Sequence, residues 1–296
     1  MTTSKKLCER TMLVTLHLSA YAGMMADSTV TAVAHEQFNA EADAGRYGKR
    51  LIASRFLRDV NNEHNNARKM HRTLTLPWED DGTRILTTAG YVQYMQRMRE
   101  AKYKVEDAVK DFISRLPDAI TEAQTRLGKM FNAEDYPTAD ELKKKFAFDV
   151  EVKAMPESGD FRAQLSDDQT KHIIKDIEKR GKQRIDTAMN DVWERIIEMV
   201  GGLSTKLKEY QPPAADGSKA NGSIRAVNLY GIHEFAKEMM PILNITDDDR
   251  MDKLRVELMT DLMGHSPEIL RSDVKARKET ITKADAILKK VKQYMA

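Results

Sequence analysis

The sequence predicts a mainly α-helical protein in which long antiparallel, coiled-coil-like helices pack beside a small antiparallel β-sheet or hairpin. Apolar residues recur at every third or fourth position through Ser166–Tyr210 and again from Leu270 onwards, which is the spacing of one helix face. Charged residues make up 32% of the chain and hydrophobic residues 41%, with 14 Gly and 8 Pro. This is the composition of long solvated helices that each bury one face.

The N-terminal third combines one strand with two helices. Leu13–Leu18 alternates apolar and polar residues and contains β-branched residues, which predicts a strand. Asp27–Phe38 predicts a helix with its apolar residues on one side. Ser54–Arg72 predicts a second helix, whose outer, polar face is rich in asparagine and includes His64 and His71.

A loop with an acidic turn and a short strand is expected to follow, over Thr73–Leu86. Ala89–Leu116 then has the apolar period of a long helix that Pro117 interrupts before helix resumes toward Asn132. Further on, Thr138 and Glu141 have the spacing of a capping box.

The second β element is expected over residues 148–164. Phe148–Ala154 alternates strictly and predicts a strand, and Asp160–Gln164 is its expected hairpin partner. Together with residues 13–18, this segment would form the small sheet.

Ser166–Tyr210 is the longest predicted element and is expected to be one continuous helix. Gly181 occupies an apolar-stripe position between Ile177 and Ile185, which would let a partner backbone approach closely. A helix of this length is about 65 Å long, so an equally long surface is expected to cover its stripe.

The chain divides by sequence into an elongated helical domain over 1–210, a linker over 211–223 and a C-terminal helical segment over 224–296. The linker is rich in Pro, Gly and Ser. The last helix spaces its apolar residues at about 3.5 positions, as a coiled-coil seam does, and either a helix of the same chain or another subunit could fill that seam. The candidate oligomer seam consists of Leu270, Val274, Ile281, Leu288, Val291 and Met295.

Known catalytic and cofactor-binding patterns are missing from the sequence. It has no phosphate-binding loop, no nucleophile elbow and no His or Cys set with metal-ligand spacing, so we expect no enzyme activity, no cofactor and no metal. Cys8 is the only cysteine, which indicates a reducing compartment. With no run of about 18 apolar residues, no membrane association is expected, and the predicted location is the cytoplasm.

Positive charge is concentrated in one part of the chain. Ala44–Lys104 contains 13 Lys and Arg against 6 Asp and Glu, although the whole chain has a net charge of only +2. Tyrosines are interleaved with these cations, a pattern that suits single-stranded nucleic acid, although tyrosines at helical spacing on the apolar side of a helix more often belong to the core. The candidate nucleic-acid face consists of Lys49, Arg50, Arg68, Lys69, Arg72, Arg97, Arg99 and Lys102.

A succession of short segments along the chain carries a resemblance to a known family. The segments are Gly48–Leu51, Ala67–Lys69, Pro77–Leu86, Gly128–Phe131, Asp135–Pro137, Phe146–Val152 and Asp160–Arg162. Together they resemble a phage-associated domain of unknown function, whose members are often encoded beside MoxR-type AAA ATPases and von Willebrand A proteins. The resemblance covers Leu13–Tyr210 and implies a phage or prophage origin and work alongside an ATPase, without established catalytic residues.

These observations predict a non-enzymatic phage helical interaction or assembly protein. It is expected to form a homo-oligomer or to serve as the partner of a phage or host machine, such as an AAA ATPase, in the cytoplasm of an infected bacterium. The alternative is a nucleic-acid-binding protein of phage replication or recombination.

Overall fold

The structure, a computed structural model, describes residues 3–156, 167–213 and 220–295. It is mainly helical, with 69% of its residues in helices, as the sequence predicted. The chain forms two compact units, each built from separated stretches. The first unit contains Met1–Thr15, Arg72–Tyr94 and Val152–Ala296, and the second contains Leu16–His71 and Met95–Glu151.

A four-stranded sheet confirms the predicted small β element. Its strands are β1 (Thr11–Ser19), β4 (Leu76–Pro77), β5 (Arg84–Thr87) and β6 (Ala147–Ala154), in the order β4-β5-β1-β6. β1 and β5 run antiparallel, with Met12 opposite Leu86. The strands expected over 13–18 and 148–154 are therefore present, while the hairpin partner expected over 160–164 lies outside the described residues.

A second, two-stranded ribbon was not predicted. β2 (Met24–Ala26) pairs antiparallel with β3 (Gly48–Arg50), and α2 (Ser28–Phe38) connects the two strands. The strands have three residues each, too few to show an alternating pattern in the sequence. The pairing of β2 with β3 therefore depends on tertiary contacts.

Four helices form the core of the second unit. They are α3 (Ser54–Leu74), α4 (Tyr91–Ser114), α5 (Leu116–Leu127) and α6 (Ala139–Lys145). The predicted capping box between Thr138 and Glu141 opens α6. The shared core contains Leu51, Ile52, Phe56, Leu57, Val60, Val105, Val109, Phe112, Leu116, Ala119 and Leu142.

The first unit is organised around α7 (Asp167–Glu209), a helix of 43 residues, which confirms the long helix predicted from Ser166. α12 (Val274–Met295) packs along α7. Shorter helices complete this unit: α1 (Thr3–Arg10), α8 (Ala226–Glu234), a π-helix (Phe235–Met239), α9 (Met240–Leu243), α10 (Asp249–Asp261) and α11 (Pro267–Ser272).

The apolar stripe of α7 is covered over only part of its length. Val192, Ile196 and Leu203 are each at most 1% exposed, whereas Ile177 is 38% exposed. A Cβ atom at Gly181 would have no neighbour within 4 Å among the described residues. The expected close approach of another backbone at Gly181 is therefore absent from the described structure.

The seam of α12 is filled within the chain, in a register that differs from the predicted one. Leu270 and Val291 are fully buried, so these two predicted oligomer-seam residues are not available at the surface. Val274 is 50% exposed, and Ile281, Leu288 and Met295 are half-buried. The residues of α12 that are buried are Ala276, Arg277, Thr280, Ala284, Ile287 and Val291.

The register differs because the buried line passes through Thr280 and Ile287 in place of Ile281 and Leu288, while Arg277, the polar position of the predicted seam, is buried as well. The Thr280 hydroxyl donates to the carbonyl of Ala276 at 2.9 Å, so the helix satisfies it internally. The Arg277 guanidinium donates to the carbonyl of Leu270 at 2.8 Å and lies over the ring of Tyr210. Burial of polar groups is tolerated here because each has a partner.

The observed units also differ from the predicted division at residues 211–223. Residues 224–296 belong to the same unit as α7. Gln211 and Asn221 pair through two backbone hydrogen bonds of 2.9 and 3.0 Å, which bring the two ends of the predicted linker together. The two described ends of the Pro- and Gly-rich segment therefore lie side by side within one unit.

Candidate interaction surfaces

Lys49 was predicted to contact nucleic acid, but the structure buries it. Its residue is 5% exposed, and its ammonium lies 2.6 Å from the Asp135 carboxylate and 3.4 Å from the Asp27 carboxylate. It also donates to the carbonyl of Met130 at 3.1 Å. The hydrogen bond to Asp135 raises the pKa of Lys49, and the cation serves to join β3 to two neighbouring segments.

The remaining members of the candidate nucleic-acid face are on the surface. Arg50 donates to the hydroxyl of Ser54 at 3.0 Å, and Arg68 donates to the amide oxygen of Asn65 at 3.3 Å. Both side chains therefore lie along their own local backbone. The other exposed members are Lys69 and Arg72 on α3, and Arg97, Arg99 and Lys102 on α4.

The tyrosines that suggested base stacking separate into two groups. Tyr94 is completely buried, whereas Tyr103 is 63% exposed and Tyr91 is 37% exposed. Burial raises the pKa of the Tyr94 hydroxyl. Tyr103 is thus the tyrosine of α4 that is most accessible to a planar base, and it neighbours Lys102 in the sequence.

α2 is a helix without a buried residue. The apolar side predicted for it is exposed, with Phe38 at 75% and Val33 at 57%. Met24 on β2 adds another side chain that is 47% exposed. We refer to α2 together with the β2–β3 ribbon as the apolar arm.

Polar contacts hold the apolar arm in place. The Asp27 carboxylate accepts a hydrogen bond of 3.0 Å from the amide of Val30 and so caps α2. This bond lowers the pKa of Asp27, and Lys49 adds to the effect. The amide of Tyr47 also donates to the hydroxyl of Thr31 at 3.0 Å. The arm is therefore ordered by hydrogen bonds, which leave its apolar side chains uncovered.

An apolar groove lies along α4 in the second unit, with a volume of about 440 Å³. Its apolar floor consists of Val105, Val109 and Ile113 on α4 together with Phe146 and Phe148. Phe146 is held by an edge-to-face contact with the buried Phe112, at 6.1 Å between ring centroids. Four charged side chains, namely Lys102, Glu106, Lys110 and Lys143, also line the groove. We refer to this feature as the α4 groove.

A more polar cleft of about 610 Å³ lies in the first unit. Its aromatic residues, Trp193 and Tyr294, contact each other at 5.6 Å between centroids. The Arg250 guanidinium lies over the ring of Tyr294 and donates to the Asp248 carboxylate at 2.7 Å. This ion pair keeps the pKa of Asp248 below its usual value. Because Arg250 and Asp248 neutralise each other, neither side chain offers an unpaired charge to a ligand in the cleft.

His64 and His71 do not lie on the polar face of α3, where the sequence placed them. They are only 1% and 6% exposed. Nε2 of His64 is buried without a hydrogen-bond partner among the described residues. Burial, assisted by the charge of Arg68, lowers the pKa of His64. The neighbouring Asn61, Asn62, Asn65 and Asn66 are exposed as expected.

The described part of the chain contains no group of three or more His, Cys, Asp or Glu side chains that could hold a metal ion. Within the same residues, no helix combines the length and the apolar character needed to cross a membrane. No protein-family model and no curated protein matches the sequence, and no solved structure matches it either. The surfaces described above are therefore the basis for assigning a function.

Proposed function

We propose that this protein is a non-enzymatic helical interaction protein that assembles with itself or with a partner machine through its apolar arm. The observation that carries the proposal is α2, which buries no residue while Val33 and Phe38 are 57% and 75% exposed. A helix of this length is marginally stable on its own in water. Large apolar side chains that remain exposed on one helix mark it as a candidate protein contact site.

The resemblance to a phage-associated domain supports a phage origin and a partnership with an AAA ATPase in the cytoplasm of an infected bacterium. Two of the segments that carry the resemblance, Gly48–Leu51 and Asp135–Pro137, meet at the base of the apolar arm. Lys49 pairs with Asp135 there, and the hydroxyl of Tyr136 donates to the carbonyl of Leu51 at 3.3 Å. These contacts give the resembling residues a structural role in positioning the arm.

Light scattering coupled to size exclusion tests self-association. The chain has a mass of 33.7 kDa, and we expect a larger, concentration-dependent mass at micromolar concentrations. Val33→Ser together with Phe38→Ser should return the protein to the mass of one chain, because the two substitutions remove apolar surface that is already exposed. Val227→Ser, at a position that is 66% exposed on α8, should leave the mass unchanged. A monomer at every concentration would refute self-association.

A second candidate function, nucleic-acid binding, is supported by the exposed Arg97, Arg99 and Tyr103 on α4. Cations that neutralise phosphates make binding depend on salt, with a slope that falls by about 1 for each contact removed. We therefore expect Arg97→Ala with Arg99→Ala to flatten the salt dependence of single-stranded DNA binding. Arg180→Ala, at an exposed position of α7, is the control. No binding at low salt would eliminate this candidate.

A further inference from the structure

We propose that the α4 groove binds an acidic amphipathic helix from a partner protein, with apolar side chains in the groove and carboxylates on its rim. This inference deepens the interaction role proposed above, because it adds a second surface and specifies the chemistry of what binds there.

The floor of the groove is built to take apolar side chains. Val105 and Val109 belong to the core of the second unit, and Ile113, Phe146 and Phe148 pack against that core while remaining partly exposed. The core therefore holds the floor residues in place, and the groove remains open. A supported apolar recess of this kind favours an apolar ligand over water.

The spacing of the floor matches a helix. Val105, Val109 and Ile113 follow one another at intervals of four residues on α4, so they extend over about 12 Å along its axis. On a bound helix, side chains at positions i, i+4 and i+7 extend over about 10 Å. A partner helix can thus place two or three anchors in the groove, which is the usual helix-in-groove mode.

The rim of the groove is positively charged. Lys102, Lys110 and Lys143 line it together with a single acidic residue, Glu106. Lys102 and Lys110 are on α4, and Lys143 is in the last turn of α6, which also contains Lys144 and Lys145. Carboxylates on a bound helix would complement this charge and fix the orientation of the helix.

Lys102 and Lys143 each have an ion pair within the chain that a partner's carboxylate could replace. Lys102 lies 4.0 Å from Glu106, and both side chains are about half exposed, at 48% and 54%. Lys143 lies 3.1 Å from Asp140, whose side chain is 84% exposed. Pairs between solvent-exposed side chains contribute little to stability. Both lysines can therefore turn to a partner's carboxylates without disturbing the fold.

The distribution of charge favours a protein segment over a small anionic amphiphile. A fatty acid has one carboxylate, which would satisfy one lysine and leave the others unpaired. Lys102 and Lys110 are about 12 Å apart along α4, and Lys143 comes from a different helix, α6. Several carboxylates on the flanks of one helix can reach all three.

The test begins with a display library of random 16-residue peptides selected on the full-length protein. We expect the selected peptides to combine apolar residues at helical spacing with Asp and Glu. Synthetic, fluorescein-labelled copies are then titrated with the protein and followed by fluorescence anisotropy. The charge-reversal variant Lys102→Glu, Lys110→Glu and Lys143→Glu should weaken binding by about tenfold or more, since attraction becomes repulsion at each site.

A matched control changes the net charge equally at exposed lysines away from the groove: Lys104→Glu, Lys129→Glu and Lys292→Glu. This control should bind the peptides nearly as well as the original protein. Ile113→Gln, which makes the floor polar, should also weaken binding, and circular dichroism verifies that each variant is folded.

Three results would overturn the inference: selected peptides that are not acidic, no enrichment at all, or equal weakening by the control. Binding of myristate that depends on the same lysines, without acidic peptides being selected, would assign the groove to a small amphiphile and would also overturn it. The outcome is separable from that of the apolar arm, because Val33→Ser with Phe38→Ser should change the mass of the protein without affecting peptide binding.

Discussion

The register of the contact between α7 and α12 can be tested with two neighbouring residues. Ile287 is 2% exposed, whereas Leu288 is half-buried and lies 3.9 Å from where a Cβ atom of Gly201 would stand. Replacing either by alanine removes the same number of carbon atoms. The two substitutions therefore differ mainly in how deeply the removed atoms are buried.

The expected magnitudes follow from burial. Removing three buried carbon atoms costs about 2.4 kcal/mol at ~0.8 kcal/mol each, and the cavity that remains at a fully buried site increases this to about 3 kcal/mol. At Leu288, solvent can fill the space and only part of the side chain is buried. We expect a cost of about 1 kcal/mol there.

Urea unfolding followed by tryptophan fluorescence measures the difference. Trp78 and Trp193 are the two tryptophans of the chain, and they are 9% and 2% exposed. Both belong to the first unit, and Trp193 contacts Tyr294 at the end of α12. With a slope of about 2 kcal/mol per molar urea, Ile287→Ala should lower the midpoint by about 1 M more than Leu288→Ala.

An equal or larger loss for Leu288→Ala would refute this reasoning. It would mean that Leu288 is the buried residue, as the apolar spacing of the sequence predicted. If that loss also grew with protein concentration, another subunit would be covering Leu288, and the seam would be intermolecular after all.

Three further predictions concern single side chains. Because the pKa of His64 is lowered in the folded chain, the unfolded chain binds the proton first, and stability should fall as the pH drops below about 6.5. His64→Gln should therefore reduce the slope of the unfolding free energy against pH. An unchanged slope, or the same reduction in the exposed variant His172→Gln, would show that His64 is not the cause. Lys49→Met leaves two carboxylates without their cation, so hydrogen exchange of the backbone amides in the β2–β3 ribbon should accelerate. Adding Asp135→Asn to this variant should slow the exchange again. Exchange rates that do not respond to Lys49→Met would show that the ion pairs do not hold the ribbon. The Thr87 hydroxyl donates to the carbonyl of Ile242 on α9 at 2.7 Å and accepts from the amide of Gly90 at 3.2 Å. Thr87→Val should therefore cost about 1–2 kcal/mol in urea unfolding, while Thr87→Ser should cost clearly less. Equal costs for the two variants would assign the effect to packing.

Long helices were predictable because apolar residues recur on the same face at every turn. α7 was predicted from Ser166 to Tyr210 and is observed from Asp167 to Glu209, since every turn repeats the same apolar signal. The capping box of α6 was predictable for a different reason, because its two side chains bond to backbone only three residues away. Both kinds of signal are local.

Sites that depend on distant partners were not predictable. Lys49 has the appearance of a surface cation until Asp135, far along the chain, is brought to 2.6 Å from it. His64 was expected among exposed asparagines, yet it is turned into the protein. The α4 groove combines Val105 and Val109, which belong to the apolar stripe recognised on α4, with Ile113, Phe146 and Phe148, which that stripe does not include. No spacing along the sequence relates these two sets of residues.

The sequence by itself determined that this protein is mainly helical, that α7 is long, and that the chain contains a small sheet, because these properties depend on residue type and on contacts between near neighbours. Only the tertiary structure decided which apolar faces are buried and which remain exposed. Burial depends on the pairing of elements, so α12 is covered along a line that includes Thr280, while the apolar residues Val33 and Phe38 of α2 are left uncovered. The two surfaces proposed for binding, the apolar arm and the α4 groove, consist of apolar residues that this packing leaves accessible.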